Sequence, residues 1–175
     1  MPKSDADLPV TQPLIDRLID RDKDRDRDRS IPVTAASDPY RSRSASVRGL
    51  KAALRRDLEW LLNTRRTIDP APDSARETVR SVYQYGFADI TSKSVLSTRD
   101  HSDLVREMES AIAIFEPRLK RAKVRMEAVE GSYRSLKFVI EGLLCMDPAP
   151  EPVRFDTVLE LGKGEYEIKG ADLAQ

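Results

Sequence analysis

Cysteine and histidine are almost absent from this sequence, since each occurs once, as Cys145 and His101. A lone cysteine cannot form an internal disulfide, which fits a chain that folds in a reducing cytoplasm. With a single histidine the sequence indicates no Cys–His pair. We therefore interpret Cys145, which lies in an apolar run, as a buried core thiol rather than a nucleophile. We expect neither a cofactor nor a bound metal.

An excess of either charge is also missing, because 30 basic and 30 acidic side chains cancel. Without a net field the chain has no overall attraction for nucleic acid or for an anionic membrane. No apolar run is long enough to span a bilayer, and Met1-Pro2-Lys3 is followed by acidic and polar residues rather than by the apolar core of a signal peptide. We therefore expect a cytoplasmic protein without direct membrane insertion, nucleic-acid binding or a small-molecule substrate.

The composition changes sharply along the chain. Residues 1–44 are rich in Asp, Arg, Ser and Pro and are predicted to form a flexible, charge-rich tail. One folded domain is predicted over residues 45–170, because a chain of this length suits one domain with a tail. Within the tail, residues 20–29 alternate acidic and basic side chains, which supply nothing to bury and predict a solvated linker.

One part of the tail, segment 13–20, is predicted to be amphipathic. Its apolar residues fall in one helical stripe, formed by Leu14, Ile15, Leu18 and Ile19. Four aliphatic side chains are too few to make a core, but they suit a groove on a partner. Docking of the stripe on this protein's own domain is the alternative.

The first half of the predicted domain has helical patterns. Apolar residues at helical spacing predict a core-facing helix and comprise Val47, Leu50, Leu54, Leu58 and Leu61. Trp60 lies beside this stripe, either as a core edge or as an exposed anchor. Ser74 and Glu77 have capping-box spacing and predict a short second helix. A third helix is predicted by apolar residues that recur at helical spacing up to Phe115.

The second half of the domain has strand patterns. Apolar and charged residues alternate from Ala122 to Ala128, and two further alternating segments follow, before Gly162-Lys163-Gly164 offers a tight hairpin into a fourth strand. Helices first and consecutive strands afterwards predict an α+β fold, with N-terminal helices packed on one face of a mainly antiparallel sheet.

The helix and the first strand meet at Glu116-Pro117-Arg118. Pro117 has no N–H and disfavours helical geometry at Glu116, so it can fix a corner between the two elements. The apolar residues around the triplet draw its two charged side chains towards the interior, where charges need partners.

This triplet is one part of an ordered set of motifs. The others are Tyr-Gly-Phe-Ala-Asp-Ile over residues 85–90, a proline-rich stretch over residues 147–153, and the amphipathic residues 14–18. Together they resemble the lysozyme-like baseplate wedge family of contractile injection machines, and within it the TssE proteins of the type VI secretion system. The resemblance covers about residues 45–168 and the N-terminal element; the Asp/Arg run is a departure from it.

The resemblance implies a structural baseplate subunit that links the wedge complex to the contractile sheath and helps to initiate sheath assembly. It implies TssF, TssG and TssK as wedge partners, the TssB/TssC sheath as the other partner, and a location at the baseplate docked on the inner-membrane complex. Glu116, Pro117 and Arg118 would then be a sheath-docking or structural motif, with a purely internal ion pair as the alternative. The stripe in segment 13–20 would bind the wedge.

The lysozyme-like label also raises an enzymatic alternative, in which Glu116 is the general acid of a peptidoglycan-cleaving muramidase. Such an enzyme needs a second carboxylate across a sugar-binding cleft, and Asp89, Asp100 and Asp103 are candidates by sequence proximity only. Arg118 is expected to favour ionised Glu116, opposite to what a general acid needs. We expect a protein that is not an enzyme; a wedge subunit of a phage-tail-like particle is the remaining alternative.

Overall fold

A computed structural model describes residues 10–18, 43–69, 71–72, 74–88, 98–128, 135–160 and 164–172. The chain forms two compact units, residues 1–54 and 55–175. The predicted linker over residues 20–29 lies outside the described residues, as do Gly162 and Lys163 of the predicted hairpin. The predicted domain limits of 1–44 and 45–170 stay a prediction.

The first unit contains a short helix, α1, over residues 14–18, and the beginning of α2, which runs over Arg43–Asn63. The N–H of Arg17 donates to the carbonyl of Pro13, 3.1 Å away, in the one turn of α1. The predicted core-facing stripe of α2 is confirmed by the leucines at positions 50, 54, 58 and 61, which are all buried. Their helical spacing puts them on one face.

Three further helices precede the sheet in the second unit: α3 over Arg76–Val79, a 3-10 helix over Val82–Gln84, and α4 over Thr98–Phe115. The predicted capping box of Ser74 is wrong, because the N-cap of α3 is Ala75 and makes no side-chain capping bond. A hydroxyl cap occurs instead at the 3-10 helix, where Ser81 accepts a hydrogen bond from the N–H of Tyr83.

A close backbone approach joins the end of α2 to the segment before α4. The N–H of Phe87 donates to the carbonyl of Thr64 at 2.7 Å, and the N–H of Arg66 donates to the carbonyl of Phe87 at 2.9 Å. Gly86 permits this approach, because it has a φ of +112° and a Cβ there would lie 2.4 Å from the Thr64 oxygen. Any side chain at position 86 would separate the two segments.

The sheet has four strands, each paired antiparallel with the next along the chain: β1 Leu119–Ala128, β2 Ser135–Leu144, β3 Glu151–Glu160 and β4 Glu165–Asp172. Helix α4 packs against β1. Alternate residues of β3 are buried, including Phe155, whereas the centre of β2 is buried at three successive positions, 138–140. The ring of Tyr166 on β4 contacts those of Phe87 and Phe138. The predicted α+β fold is confirmed.

Ion pairs connect the strands on the sheet. Lys137 on β2 bridges Glu127 on β1, at 3.0 Å, and Asp156 on β3, at 3.1 Å. Arg154 contacts Asp156 at 3.2 Å. Burial raises the pKa of Asp156, but its hydrogen bonds to Lys137 and Arg154 outweigh that effect and leave the pKa below its ordinary value.

The interpretation of Cys145 as a core thiol is wrong, because its side chain is exposed. Strand β2 ends at Leu144, so the apolar run continues past the last buried residue of the strand. Trp60 is half-exposed and lies under the guanidinium of Arg56. None of the helices in the described part of the chain combines the length and apolarity needed to cross a bilayer.

Candidate functional site

The predicted corner between α4 and β1 is present. Helix α4 ends at Phe115 and β1 begins at Leu119, so Glu116-Pro117-Arg118 forms the whole connection. The N–H of Glu116 donates to the carbonyl of Ile112 at 2.8 Å, and the carbonyl of Glu116 accepts the N–H of Leu119 at 3.0 Å. The backbone of Glu116 is therefore hydrogen-bonded to both elements, while Pro117 faces solvent.

The two charged side chains of the corner contact each other and reach back to α2. Nη2 of Arg118 lies 2.6 Å from Oε2 of Glu116 and 2.7 Å from Oδ2 of Asp57. Oδ1 of Asp57 accepts hydrogen bonds from Nη2 and Nε of Arg56, at 2.9 and 3.0 Å. We call Arg56, Asp57, Glu116 and Arg118 the charge network. It connects helix α2 to the corner.

Burial dominates the titration of Glu116, which is 6% exposed. Burial raises its pKa and outweighs the hydrogen bond and the charge of Arg118, both of which lower it. The expected Arg118–Glu116 contact is present, and its predicted effect, which favours ionised Glu116, is confirmed; the larger and opposite effect of burial was not predicted. Burial would lower the pKa of Arg118, yet its hydrogen bonds to Asp57 and Glu116 raise it. The guanidinium is therefore held in its charged form.

Tyr85 borders the network. Its ring meets that of Phe115 edge-to-face with centroids 5.2 Å apart. Burial raises the pKa of Tyr85, and the negative charges of Glu116 and Asp57 raise it further. Tyr85 belongs to the second of the four sequence motifs, so the structure places two of those motifs side by side.

Sequence reasoning missed Arg56 and Asp57. Asp57 lies 61 residues from Arg118, and no local pattern connects the two. The available signal was its helical position, three residues after Leu54 and four before Leu61, which places a carboxylate on the side of α2 that carries buried leucines. A carboxylate in that position needs a cationic partner.

Two of the three candidates for the second carboxylate of a muramidase, Asp100 and Asp103, do not lie beside Glu116. Asp100 and Asp103 occupy the first turns of α4, and a rise of 1.5 Å per residue puts them roughly 18–22 Å from the end of that helix. Asp89 lies outside the described residues. The carboxylate near Glu116 is Asp57, and both bind the same guanidinium rather than facing each other across a cleft. In the described ranges no group of His, Cys, Asp and Glu has the arrangement of a metal site.

The tail contacts the beginning of α2 through polar groups. The N–H of Val10 donates to Oγ of Ser46 at 2.8 Å, and Nε2 of the buried Gln12 donates to the carbonyl of Ser46 at 2.7 Å. The apolar stripe is not used in these contacts: Leu14, Ile15 and Leu18 are 68%, 47% and 53% exposed. Ile19 lies outside the described residues. The wedge-binding role of the stripe stays a prediction.

Within the described ranges, a side chain is hydrogen-bonded to the backbone of each outer strand. At β1, the N–H of Val124 donates to Oε1 of Glu109 on α4, at 3.0 Å. At β4, Asn63 at the end of α2 accepts the N–H of Tyr166 at 2.8 Å and donates Nδ2 to its carbonyl at 2.9 Å. Sequence analysis missed both contacts, since Asn63 and Tyr166 are 103 residues apart.

These features define an α+β domain whose charged corner is bonded to helix α2 and whose four-stranded sheet has β1 and β4 as its outer strands. Comparison with protein families matches the chain to the family described as baseplate wedge protein gp25, over residues 48–149. The match covers more than half of the 175 residues, and the chain belongs to this family. Its members are baseplate components of phage-tail-like assemblies with a structural role. A search of curated proteins found no match.

Proposed function

We propose that this chain is a non-enzymatic baseplate subunit of a type VI secretion system, of the TssE kind, which joins the wedge to the contractile sheath and helps to start sheath assembly. The observation that carries this proposal is the four-stranded antiparallel sheet, with β1 and β4 as its outer strands, in a member of the baseplate wedge family. An edge strand offers backbone donors and acceptors in a fixed array, and a strand from a neighbouring subunit can satisfy them without any catalytic group.

The charge network supports this function because it joins α2 to the corner from which the sheet begins. Glu116 is almost fully buried, so its carboxylate acts inside the domain and orients Arg118 rather than touching a partner. Arg118 is partly exposed and binds carboxylates from both α2 and the corner. We propose that the Glu116-Pro117-Arg118 motif keeps α2, α4 and β1 in one arrangement, so that the edges of the sheet are presented to the sheath in a constant orientation.

The proposed wedge partners are TssF, TssG and TssK, and the proposed sheath partner is TssB/TssC. The exposed stripe of Leu14, Ile15 and Leu18 supports a wedge contact, because apolar side chains exposed on a short helix suit a partner's groove. The hydrogen bond from Gln12 to Ser46 holds the residues just before this helix and reduces the entropy that binding must overcome. We place the subunit in the cytoplasm, at a baseplate docked on the inner-membrane complex.

Two alternative functions, in a phage-tail-like particle and as a muramidase, are distinguished by different observations. A phage-tail-like particle would use the same baseplate role without secretion, and neighbouring genes for a membrane complex distinguish the two settings. A muramidase is favoured by one observation, the raised pKa of Glu116. That carboxylate is bonded to Arg118 and has no facing carboxylate among the described residues, so we propose that the protein does not cleave the cell wall.

The test uses the full-length chain with two sets of candidates: co-expressed TssF, TssG and TssK, and separately TssB/TssC. We expect co-purification with the wedge set, and fluorescent sheaths in cells that contain the protein but not in cells that lack it. Absence of wedge binding together with normal sheath formation in the deletion strain would overturn the proposal. Release of muropeptides by the wild-type protein, abolished in Glu116→Gln, would overturn its non-enzymatic part.

A further inference from the structure

The sheet has a neutral middle on the side opposite its buried aromatic rings. Charged side chains there pair within and across β1, β2 and β3, and the pairs are Arg125–Glu141, Lys137–Glu127, Lys137–Asp156 and Arg154–Asp156. The three basic and three acidic side chains of this set cancel. The middle of this side therefore presents little net charge to another molecule.

The beginning of β1 is basic. Lys120 and Arg121 are exposed, and neither side chain makes an ion pair within the described ranges. The bulge between Lys120 and Lys123 holds Arg121 at a φ of 53°, a conformation that arginine rarely adopts. Lys123 is 76% exposed, with Oε1 of Glu109 at 3.9 Å. We call Lys120, Arg121 and Lys123 the basic patch.

The beginning of β4 is acidic. It borders a cleft of about 600 Å³ around Asn63, and the described residues that line this cleft include four glutamates and the basic Arg65. The glutamates are Glu59, Glu160, Glu165 and Glu167. Within the described ranges, Glu59 and Glu165 make no ion pair. We call this surface the acidic cleft.

Strand pairing puts the basic patch and the acidic cleft at diagonally opposite ends of the sheet. Lys120 pairs with Leu143, which pairs with Pro152 of β3, whereas Glu165 pairs with Glu160 at the other end of β3. Positions 152 and 160 of β3 have the same parity, so both charged ends lie on the same side of the sheet. Strand dimensions put them roughly 30 Å apart. Because the Debye length is about 8 Å in physiological salt, they cannot neutralise each other within one molecule.

We propose that copies of this chain associate head to tail, with the basic patch of one copy against the acidic cleft of the next. Lys120 and Arg121 then meet Glu59 and Glu165 of the second copy through side chains, without pairing of strands. A second copy fits both ends because each molecule has the two complementary charges on one side of its sheet and cannot bring them together itself. Each contact leaves one basic patch and one acidic cleft free, so the association can continue into a ring or a row. It does not depend on the proposed function.

The first experiment is sedimentation velocity of the purified full-length protein over a series of concentrations. We expect the sedimentation coefficient to rise with protein concentration at low salt and to stay constant in about 1 M salt, where the Debye length is about 3 Å. Carbodiimide cross-linking at low salt should join Lys120 to Glu59 or Glu165 in the dimer but not in the monomer, because the two ends are too far apart within one chain. A monomer at every concentration in low salt, or dimers without these cross-links, would overturn the inference.

The second experiment reverses each charged end separately. Lys120→Glu with Arg121→Asp reverses the basic patch, with Asp at position 121 because it tolerates a positive φ. Glu59→Lys with Glu165→Lys reverses the acidic cleft. Each variant alone should associate at least about tenfold more weakly than wild type, because its two ends have the same sign. Mixing the two variants should restore association, with cross-links between positions 120 and 165. Undiminished association of either variant alone, or a mixture that stays monomeric, would overturn the inference.

The matched control is Arg76→Glu with Arg80→Glu. Both arginines are exposed and make no ion pair within the described ranges, and their reversal changes the net charge as much as reversal of Lys120 and Arg121 does. The control is needed because the wild type has a formal net charge of zero, and proteins without net charge associate nonspecifically. We expect it to associate like wild type. Thermal denaturation confirms that each variant is folded. Equal losses of association in this control and in the Lys120→Glu, Arg121→Asp variant would overturn the assignment to the basic patch.

Discussion

Two of the sets of ion pairs among the described residues join a basic side chain to two carboxylates at similar distances but in different surroundings. The charge network lies at a corner where Glu116 is 6% exposed, whereas the pairs of Lys137 with Glu127 and Asp156 lie on the surface of the sheet. Burial makes the first set costly to leave incomplete, and water screens the second set whether or not it is complete. A contact distance near 3 Å therefore does not indicate how much stability is lost when an ion pair is broken, whereas the burial of its groups does.

The largest loss of stability is expected for Arg118→Ala, which breaks the buried set of ion pairs. It leaves Glu116 buried without its cation and takes one of the two guanidinium partners from Asp57. We expect a loss of about 3 kcal/mol in the free energy of unfolding, at the low end for a buried pair because about a quarter of the Arg118 side chain is exposed. Urea denaturation near neutral pH measures it. A loss under about 1 kcal/mol would mean that the network behaves like a surface pair.

The pH dependence of the stability of this variant tests whether the buried Glu116 carboxylate causes the loss. Glu116 has a folded pKa raised above 4.5, so the folded state binds its proton more tightly and stability falls as pH rises from the unfolded pKa through the folded one. Without Arg118 that pKa rises further, and the fall extends to higher pH. We expect the deficit of Arg118→Ala relative to wild type to be small near about pH 4 and large near about pH 8.

The matched control is Glu116→Gln in the Arg118→Ala background, which removes the charge and keeps the shape. If the unpaired carboxylate causes the deficit, the deficit of this double variant should not grow as pH rises, and the double variant should be more stable than Arg118→Ala at the alkaline end. Urea denaturation of both variants at each pH gives the values. A parallel pH dependence in the two variants would assign the effect to other groups.

Among the substitutions that break an ion pair, the smallest loss of stability is expected for Lys137→Ala. Lys137 loses two partners at once, Glu127 and Asp156, but it is solvated and both carboxylates can be hydrated in its absence. We expect a shift in Tm far below that of Arg118→Ala, and one that shrinks further in added salt. A shift comparable to that of Arg118→Ala would show that the surface of the sheet is as sensitive to a missing charge as the corner.

No loss of stability is expected at the exposed stripe of α1. Leu14→Asp with Leu18→Asp changes side chains that are more than half exposed, so the Tm should stay unchanged while wedge binding weakens. Gln12→Ala is the matched contrast, since it removes a bond to Ser46 at 2.7 Å and leaves the stripe intact. Unchanged wedge binding by a stable Leu14→Asp, Leu18→Asp protein would contradict the partner-groove prediction.

Local chemistry made the corner and the fold class predictable from sequence. Pro117 ends α4 by its own geometry, and the change from helical to alternating spacing marks the start of β1. The partners of these elements were not predictable, because Asp57 binds Arg118 and Asn63 binds Tyr166 across long stretches of chain that leave no periodic signal. The raised pKa of Glu116 was missed for the same reason, since burial depends on which distant elements pack around it.

The exposure of Cys145 has a practical consequence. It is the only cysteine in the chain, so a thiol-reactive fluorophore attaches to the unmodified sequence at one position. The N–H of Cys145 donates to the carbonyl of Arg118 at 2.7 Å, so the labelled residue is bonded directly to the corner. The emission of such a label reports opening of the corner during denaturation or assembly, and no cysteine has to be removed or introduced.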